Sequence, residues 1–322
     1  MISKRGGLVA VFFLLLLCVT RLQAAVFHQA DLDWYSLESE HFQIHFHNGL
    51  ESDARQLLMV AERVHKRLSD FMQWEPLGRT EIVLTDEYDV SNGYASPYPA
   101  NRMTLYLSAP DDINSLEDYG DWLELVFTHE YLHILHLDKA SGAPDSLRNI
   151  FGRFLWLFPN AFQPAWFTEG LATYVETDIS RGVGRGQSSY FDMLMRMEYL
   201  SGLKPLRQVN QPMASWPMGT VPYLYGVYFY QFLAERYGEE TIHRLVENYS
   251  DNFIPFRINS NTGQILGKQL DQLWYEFGVY LKERYQPQQE QVLDQGEVAG
   301  DRLTHQGYFT GPLAAGKDGS IY

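Results

Sequence analysis

Cysteine is nearly absent: Cys18 is the only one in 322 residues. That excludes a fold stapled by disulfides. Basic residues are also scarce. Twenty-five Lys and Arg stand against 40 Asp and Glu, a formal net charge of −15. A nucleic-acid binder would show the opposite surplus. Beyond the first segment, no apolar run is long enough to span a bilayer. Residues 26–285 contain no internal repeat, so a solenoid is excluded. What is plentiful is aromatic. Phe, Tyr and Trp make up 15% of the chain, enough to bury a core and exclude disorder. The length allows one large or two ordinary domains.

The first 25 residues read as a targeting segment. Lys4 and Arg5 precede an apolar run from Leu8 to Val19, and Leu22-Gln23-Ala24 offers a cleavage point. The run is shorter than the ~20 residues of a membrane helix. Cys18 follows Leu17 rather than a small residue, so no lipid attachment is expected there. Cleavage removes three positive charges and no negative ones, taking the net charge to −18, and leaves no Cys. A secreted chain without disulfides fits the bacterial periplasm.

His41 to His47 alternates, with Phe42, Ile44 and Phe46 on one face, which predicts a strand. Its histidines, His41, His45 and His47, are expected to form an exposed polar face rather than a metal site. Residues 53–73 have helical spacing. Arg79 to Thr85 and Arg102 to Ser108 read as strands, and Asn92-Gly93 as a turn. From Leu116 to about Lys139 the period becomes helical. Residues 143–164 are Pro-bounded and aromatic. They are expected to pack under the helices or to form a lid or a membrane-facing hairpin. Further helices are expected at 165–178, 187–200, 222–236, 239–249 and 264–285. Strands followed by helices argue for an α+β fold.

The chemistry concentrates in Thr128-His-Glu-Tyr-Leu-His133. On a helix, His129 and His133 share one face a turn apart and can hold one Zn²⁺ at ~2.0–2.1 Å. Glu130 points about 100° round the helix, where it can serve a water as general base. With 10 His in the chain, chance produces this pattern only about 0.02 times. A third ligand is needed. His136 is on the same face but about 10.5 Å along the axis from His129, too far to converge. It is expected to orient a ligand, to be structural, or to lie near substrate. Glu169, in Trp166-Phe-Thr-Glu-Gly-Leu-Ala-Thr-Tyr174, is the better candidate, on a second helix whose apolar face can pack beside the first.

HEYLH followed by WFTEGLATYVE resembles the gluzincins, HExxH metallopeptidases whose third ligand is a Glu on a second helix. The resemblance implies a thermolysin-like fold, with an N-terminal mixed sheet and helices and then a helical subdomain. It also implies His129, His133 and Glu169 as zinc ligands and Glu130 as base. Val221-Pro-Tyr-Leu-Tyr-Gly226 is similar to the segment carrying the transition-state tyrosine of the aminopeptidase members. Tyr223 is the matching position and Tyr225 the alternative, each able to donate to an oxyanion. Two features depart from those aminopeptidases. Glu169 follows His133 by 36 positions, a longer gap, and their Gly-x-Met-Glu-Asn motif has no counterpart. Strand Arg102–Ser108 could instead pair with an extended peptide by strand addition, which would suit endopeptidase cleavage; the sequence leaves endo- and exopeptidase action open.

Residues 286–300 are polar and Gln-rich and read as a linker. Leu313 to Tyr322 reads as strand, Asp-Gly turn, strand, and resembles the start of a TolB-like β-propeller blade. The sequence thus predicts a signal peptide at 1–25, a peptidase domain at 26–285, a linker at 286–300 and a cut propeller start at 301–322. The expected function is zinc-dependent peptide hydrolysis in the cell envelope. The expected partner is a peptide or protein, with no nucleic acid and no stable membrane span. The rival is a non-catalytic envelope-binding module on the same scaffold.

Overall fold

A computed structural model describes residues 29, 31–110, 116, 118–210, 216–296, 300–301, 305 and 314–320. The predicted signal peptide lies outside the described residues, as does most of 301–322. The chain divides into the units Met1–Asp33 and Trp34–Tyr322, and only the second carries described elements. Among the described residues, no helix is long and apolar enough to cross a membrane.

Five strands form one mixed sheet: β1 (Trp34–Glu38), β2 (Phe42–His47), β3 (Thr80–Thr85), β4 (Gly93–Ser96) and β5 (Arg102–Tyr106). Their order is β1-β2-β3-β5-β4, with β2, β3 and β5 parallel and the two outer strands antiparallel. The core face is Phe42, Ile44, Phe46, Ile82, Leu84, Met103 and Leu105, all buried at alternate positions. Helices α1 (Glu51–Met72) and α2 (Trp122–Asp138) cover that face. Phe42 meets the rings of Phe127 and Tyr131 on α2, at 5.4 and 5.1 Å between centroids.

The rest is helical: α3 (Gly142–Phe151), α4 (Ala165–Glu176), α5 (Ser189–Ser201), α6 (Val221–Tyr237), α7 (Glu240–Ser250), α8 (Ile258–Leu266) and α9 (Leu270–Gln295). The molecule is α+β: apart from α1, which stands between β2 and β3, the helices follow the sheet. Helix α2 is the hub. All of its 17 residues except Glu124 and Leu137 are buried, so it shows almost no amphipathic stripe. It starts at Trp122 rather than Leu116 because the Asp121 side chain caps it, accepting the Glu124 N–H at 3.1 Å. Helices α4 and α6 cross in backbone contact. A Cβ added to Gly170 would lie 2.4 Å from the Cα of Gly226, and one on Gly226 the same distance from Gly170.

Several expectations need correction. Residues 286–295, read as linker, are helical: α9 continues through Pro287 to Gln295. The half-buried Gln286 bonds Glu290 one turn on, and Gln288 accepts from Arg196. The expected helix 264–285 is two, since left-handed Gly267 closes α8 and a Gln269–Gln272 capping box opens α9. Strand β5 cannot take an added peptide strand, because β3 and β4 occupy both its edges. The edge strand on that side is β4, which begins where a turn was expected. The histidines of β2 are not an exposed face. His41 and His45 are half-buried and His47 is buried, and each meets a carboxylate: His41 meets Glu62 at 2.7 Å, His45 meets Glu81 at 2.6 Å and His47 meets Asp86 at 2.8 Å. The aromatic segment divides. Phe158 is buried beneath Arg148 and Arg153, 4.2 and 5.0 Å from its centroid, whereas Phe151, Phe154 and Trp156 are exposed.

At the C-terminus the expected Asp-Gly turn is described: Gly316 N–H donates to the Ser320 carbonyl at 2.7 Å. Of the expected flanking strands, residues 313, 321 and 322 lie outside the described residues.

Candidate metal centre

A cleft of about 560 Å³ opens between β4, α2, α4 and the start of α6. His129, Glu130, His133, Glu169 and Tyr223 all line it. His129 and His133 descend from successive turns of α2. Glu169 comes from α4, which the Gly170–Gly226 contact seats against α6.

The three donor groups close into a triangle. His129 Nε2 lies 3.2 Å from His133 Nε2 and 3.3 Å from Glu169 Oε2, and His133 Nε2 lies 3.2 Å from the same oxygen. Tetrahedral bonds of ~2.0–2.1 Å place ligand atoms about 3.3–3.4 Å apart, so the donor set fits zinc in both identity and spacing. The imidazole planes cross at 85°, and each ring presents its Nε2 to the triangle. His136 stays out of it. It is 1% exposed in the core, does not line the cleft, and neither ring nitrogen has a partner among the described residues. Of its expected roles, the structural one fits.

The other nitrogen of His129 is also fixed. Nδ1 donates to Glu176 Oε2 at 2.7 Å, which leaves Nε2 as the ring nitrogen facing the triangle. Glu176 is gripped by Arg185, whose Nε and Nη2 reach its two oxygens at 2.7 and 2.8 Å. Arg185 Nη2 also approaches His129 Nδ1 to 3.0 Å, but a guanidinium accepts no hydrogen bond, so the imidazole proton belongs to Glu176. The sequence reading missed both residues. Glu176 was legible, standing seven positions after Glu169 and so two turns along the same helix face. Arg185 sits in the loop after α4 and leaves no such periodic signal.

The electrostatics favour a cation. Burial works against charge on His129, yet hydrogen bonds to Glu169 and Glu176 outweigh it and raise the pKa to about 9. Burial likewise works against ionised Glu169, but His133 and His129 hold it far below the carboxylate range. Glu176 is drawn down to about 2, with Arg185 overcoming its burial. Glu130 behaves differently: burial pushes its carboxyl up, despite the neighbouring histidines. It faces β4 closely. A Cβ on Gly93 would lie 2.7 Å from Glu130 Cγ, so only glycine leaves the carboxylate its place.

Tyr223 lies 6.2 Å from the His129 ring, centroid to centroid, under Arg185. Burial raises its phenol pKa, which keeps it a donor. Tyr225 is turned away: its hydroxyl donates to Glu198 at 2.6 Å and accepts from Lys204 N–H at 2.9 Å.

No family model matches the chain. It is 25% identical over 269 residues to an uncharacterized protein of Treponema pallidum (strain Nichols), covering 83% of this chain and 23% of that protein. Among solved structures it is similar to an M1 zinc metallopeptidase mutant from Deinococcus radiodurans, at 15% identity and a TM-score of 0.43 over 78% of this chain and 51% of that one. A two-domain M1 zinc metallopeptidase mutant bound to L-tryptophan gives 14%, a TM-score of 0.42, and 77% and 51% coverage. The chain thus spans about half the length of these structures and under a quarter of the Treponema protein. At TM-scores below 0.5 the likeness adds nothing to the site, which stands on its own distances.

Proposed function

We propose that this chain is a zinc-dependent peptidase of gluzincin type, with His129, His133 and Glu169 as ligands. The observation that carries this reading is the 3.2–3.3 Å triangle of donors, with Glu130 beside it in the same cleft. Bound zinc would supply Lewis acidity toward a carbonyl oxygen and toward water.

The chain's own groups do the rest. Glu130 takes a proton from the attacking water, and its raised pKa brings it nearer neutrality, where a base that must later return the proton works best. It then passes the proton to the leaving amine. Tyr223 donates its phenolic hydrogen to the developing oxyanion. Glu176 and Arg185 hold His129 in one tautomer. An extended substrate adds to the outer edge of β4, which has no strand partner among the described residues.

The signal-peptide pattern supports export to the periplasm, and the Gly316–Ser320 turn suits the start of a propeller. Both belong to this proposal, as does the protein or peptide substrate. The test is zinc analysis together with a peptide-library digest of wild type and Glu130→Gln. One equivalent of zinc in both, with cleavage reduced at least ~10³-fold in the variant, is the expected result. Stoichiometric zinc without Glu130-dependent cleavage would leave the non-catalytic binding module instead.

A further inference from the structure

Arg185 enters the site from the loop joining α4 to α5. That loop is tied down along its length. Asp178 and Val183 bridge, Gly184 N–H donates to the Asp118 carbonyl at 2.7 Å, and Gly186 N–H donates to Thr177 Oγ1 at 3.0 Å. The arginine it delivers is only 7% exposed. Burying a guanidinium is costly unless its charge and hydrogen bonds are met.

Two groups meet them, and they belong to different parts of the site. Nε and Nη2 take both oxygens of Glu176 in a fork, and the guanidinium carbon lies 4.8 Å from the centroid of the Tyr223 ring. Glu176 in turn accepts from His129 Nδ1. One cation therefore touches both the carboxylate that orients a metal ligand and the phenol that faces the cleft.

We propose that Arg185 is a positioning residue that locks the Glu176–His129 pair and the Tyr223 phenol into one unit. The proposal rests on the zinc-site reading above. The fork stops Glu176 from rotating, which fixes Oε2 and with it the imidazole plane. The guanidinium over the ring holds the face of Tyr223 and hence the line along which its hydroxyl points. Lysine would keep the charge but has neither fork nor plane. Replacing Arg185 by Lys thus separates geometry from charge.

The experiment uses the full chain as wild type, R185K, Y223F and the double variant. Zinc dissociation constants come from competition with a chromophoric chelator, and cobalt(II) substitution reports ligand geometry by its visible spectrum. Thermal unfolding checks the fold. R185K is expected to bind zinc about 10–100-fold more weakly and to shift the cobalt bands while unfolding near the wild-type midpoint. On a cleaved peptide, Y223F is expected to cost at least ~5-fold less kcat in the R185K background than in wild type. Zinc affinity and cobalt bands equal to wild type in R185K would overturn the proposal, as would Y223F and R185K effects that simply multiply. Should R185K fail to fold, Glu176→Gln replaces it: the same loss of zinc affinity is expected, and wild-type affinity would overturn the proposal. The metal measurements need no substrate. A chain that binds zinc in this way but cleaves nothing would sink the peptidase reading and leave the role of Arg185 standing.

Discussion

Among the described residues, two clusters bring two imidazoles and a carboxylate within 4.8 Å: His129, His133 and Glu169 in the cleft, and His41, His65 and Glu75 beside β2 and α1. Their composition is the same and their geometry is not. In the cleft the imidazole planes cross at 85°, whereas His41 and His65 stack at 3.8 Å with planes only 20° apart. A ring nitrogen binds a metal along its in-plane lone pair, so crossed rings converge on a point and stacked rings point side by side. The carboxylates differ as well. Glu169 Oε2 lies 3.2–3.3 Å from both nitrogens, while the exposed Glu75 stays 3.9 Å from His65. Both clusters even fix their outer nitrogens, through Glu176 in one and through Glu62 and Tyr131 in the other. Orientation, rather than the inventory of ligands, makes a metal site.

The sharpest way to break this contrast is His133→Ala. It removes one corner of the triangle and leaves the stacked pair untouched. Bound zinc is expected to fall from about one equivalent to near zero, with peptide cleavage down at least ~10³-fold. Atomic absorption after gel filtration measures the first. A full equivalent retained would mean that the stacked cluster binds zinc. Next in size is Gly170→Ala. The new methyl would meet the Gly226 backbone at 2.4 Å, where no side chain can give way. We expect a loss on the order of 4 kcal/mol in urea unfolding, with zinc affinity falling alongside. Unfolding energetics like wild type would show that α4 and α6 can separate without disturbing Glu169.

How much of this was legible in the sequence follows from the same geometry. His129, Glu130 and His133 were readable because helical spacing alone sets them on one turn. Glu169 was readable because its flanks, Phe167 and Leu171, mark a buried helix. The stacked pair was not, because His41 and His65 come from a strand and a helix that only the sheet brings together. The fold class was readable from strand periods giving way to helical ones. The edge strand was not: Gly93–Ser96 is four residues long, begins at a turn signal and has no alternation of its own. Pairing with β5 makes it a strand. Arg185 was hidden for the same reason, since a loop residue acquires its role only from what the loop is pinned against.

His136 sharpens the contrast from a third direction, as an imidazole with neither metal nor carboxylate. Burial, with help from His133 and Lys139, pushes its pKa down to about 3. The unfolded chain binds a proton near pH 6.5, the folded one only near 3. Between those values the unfolded state carries more protons, so stability falls as pH drops below about 6.5. At pH 5 the loss from this group is about 2 kcal/mol relative to pH 7. His136→Met, apolar and of similar size, should remove that part of the slope and leave zinc binding intact. A variant as acid-sensitive as wild type would assign the slope elsewhere.

The smallest effect is expected at His41. Its bond to Glu62 spans 2.7 Å, but both side chains are about one-third exposed. Water already solvates much of each side chain there, and ordering the two offsets part of the attraction, so such exposed pairs contribute at most about 0.2–1 kcal/mol. The stack on His65 adds no cation between the rings. His41→Ala should therefore cost less than ~1 kcal/mol in urea unfolding at neutral pH, with the deficit shrinking further at high salt as the pair is screened. Zinc stoichiometry and cleavage should not move, because nothing in the triangle touches His41. A lost equivalent of zinc would give the stacked pair a metal after all, and the contrast in ring orientation would no longer separate a site from a pair of packed histidines.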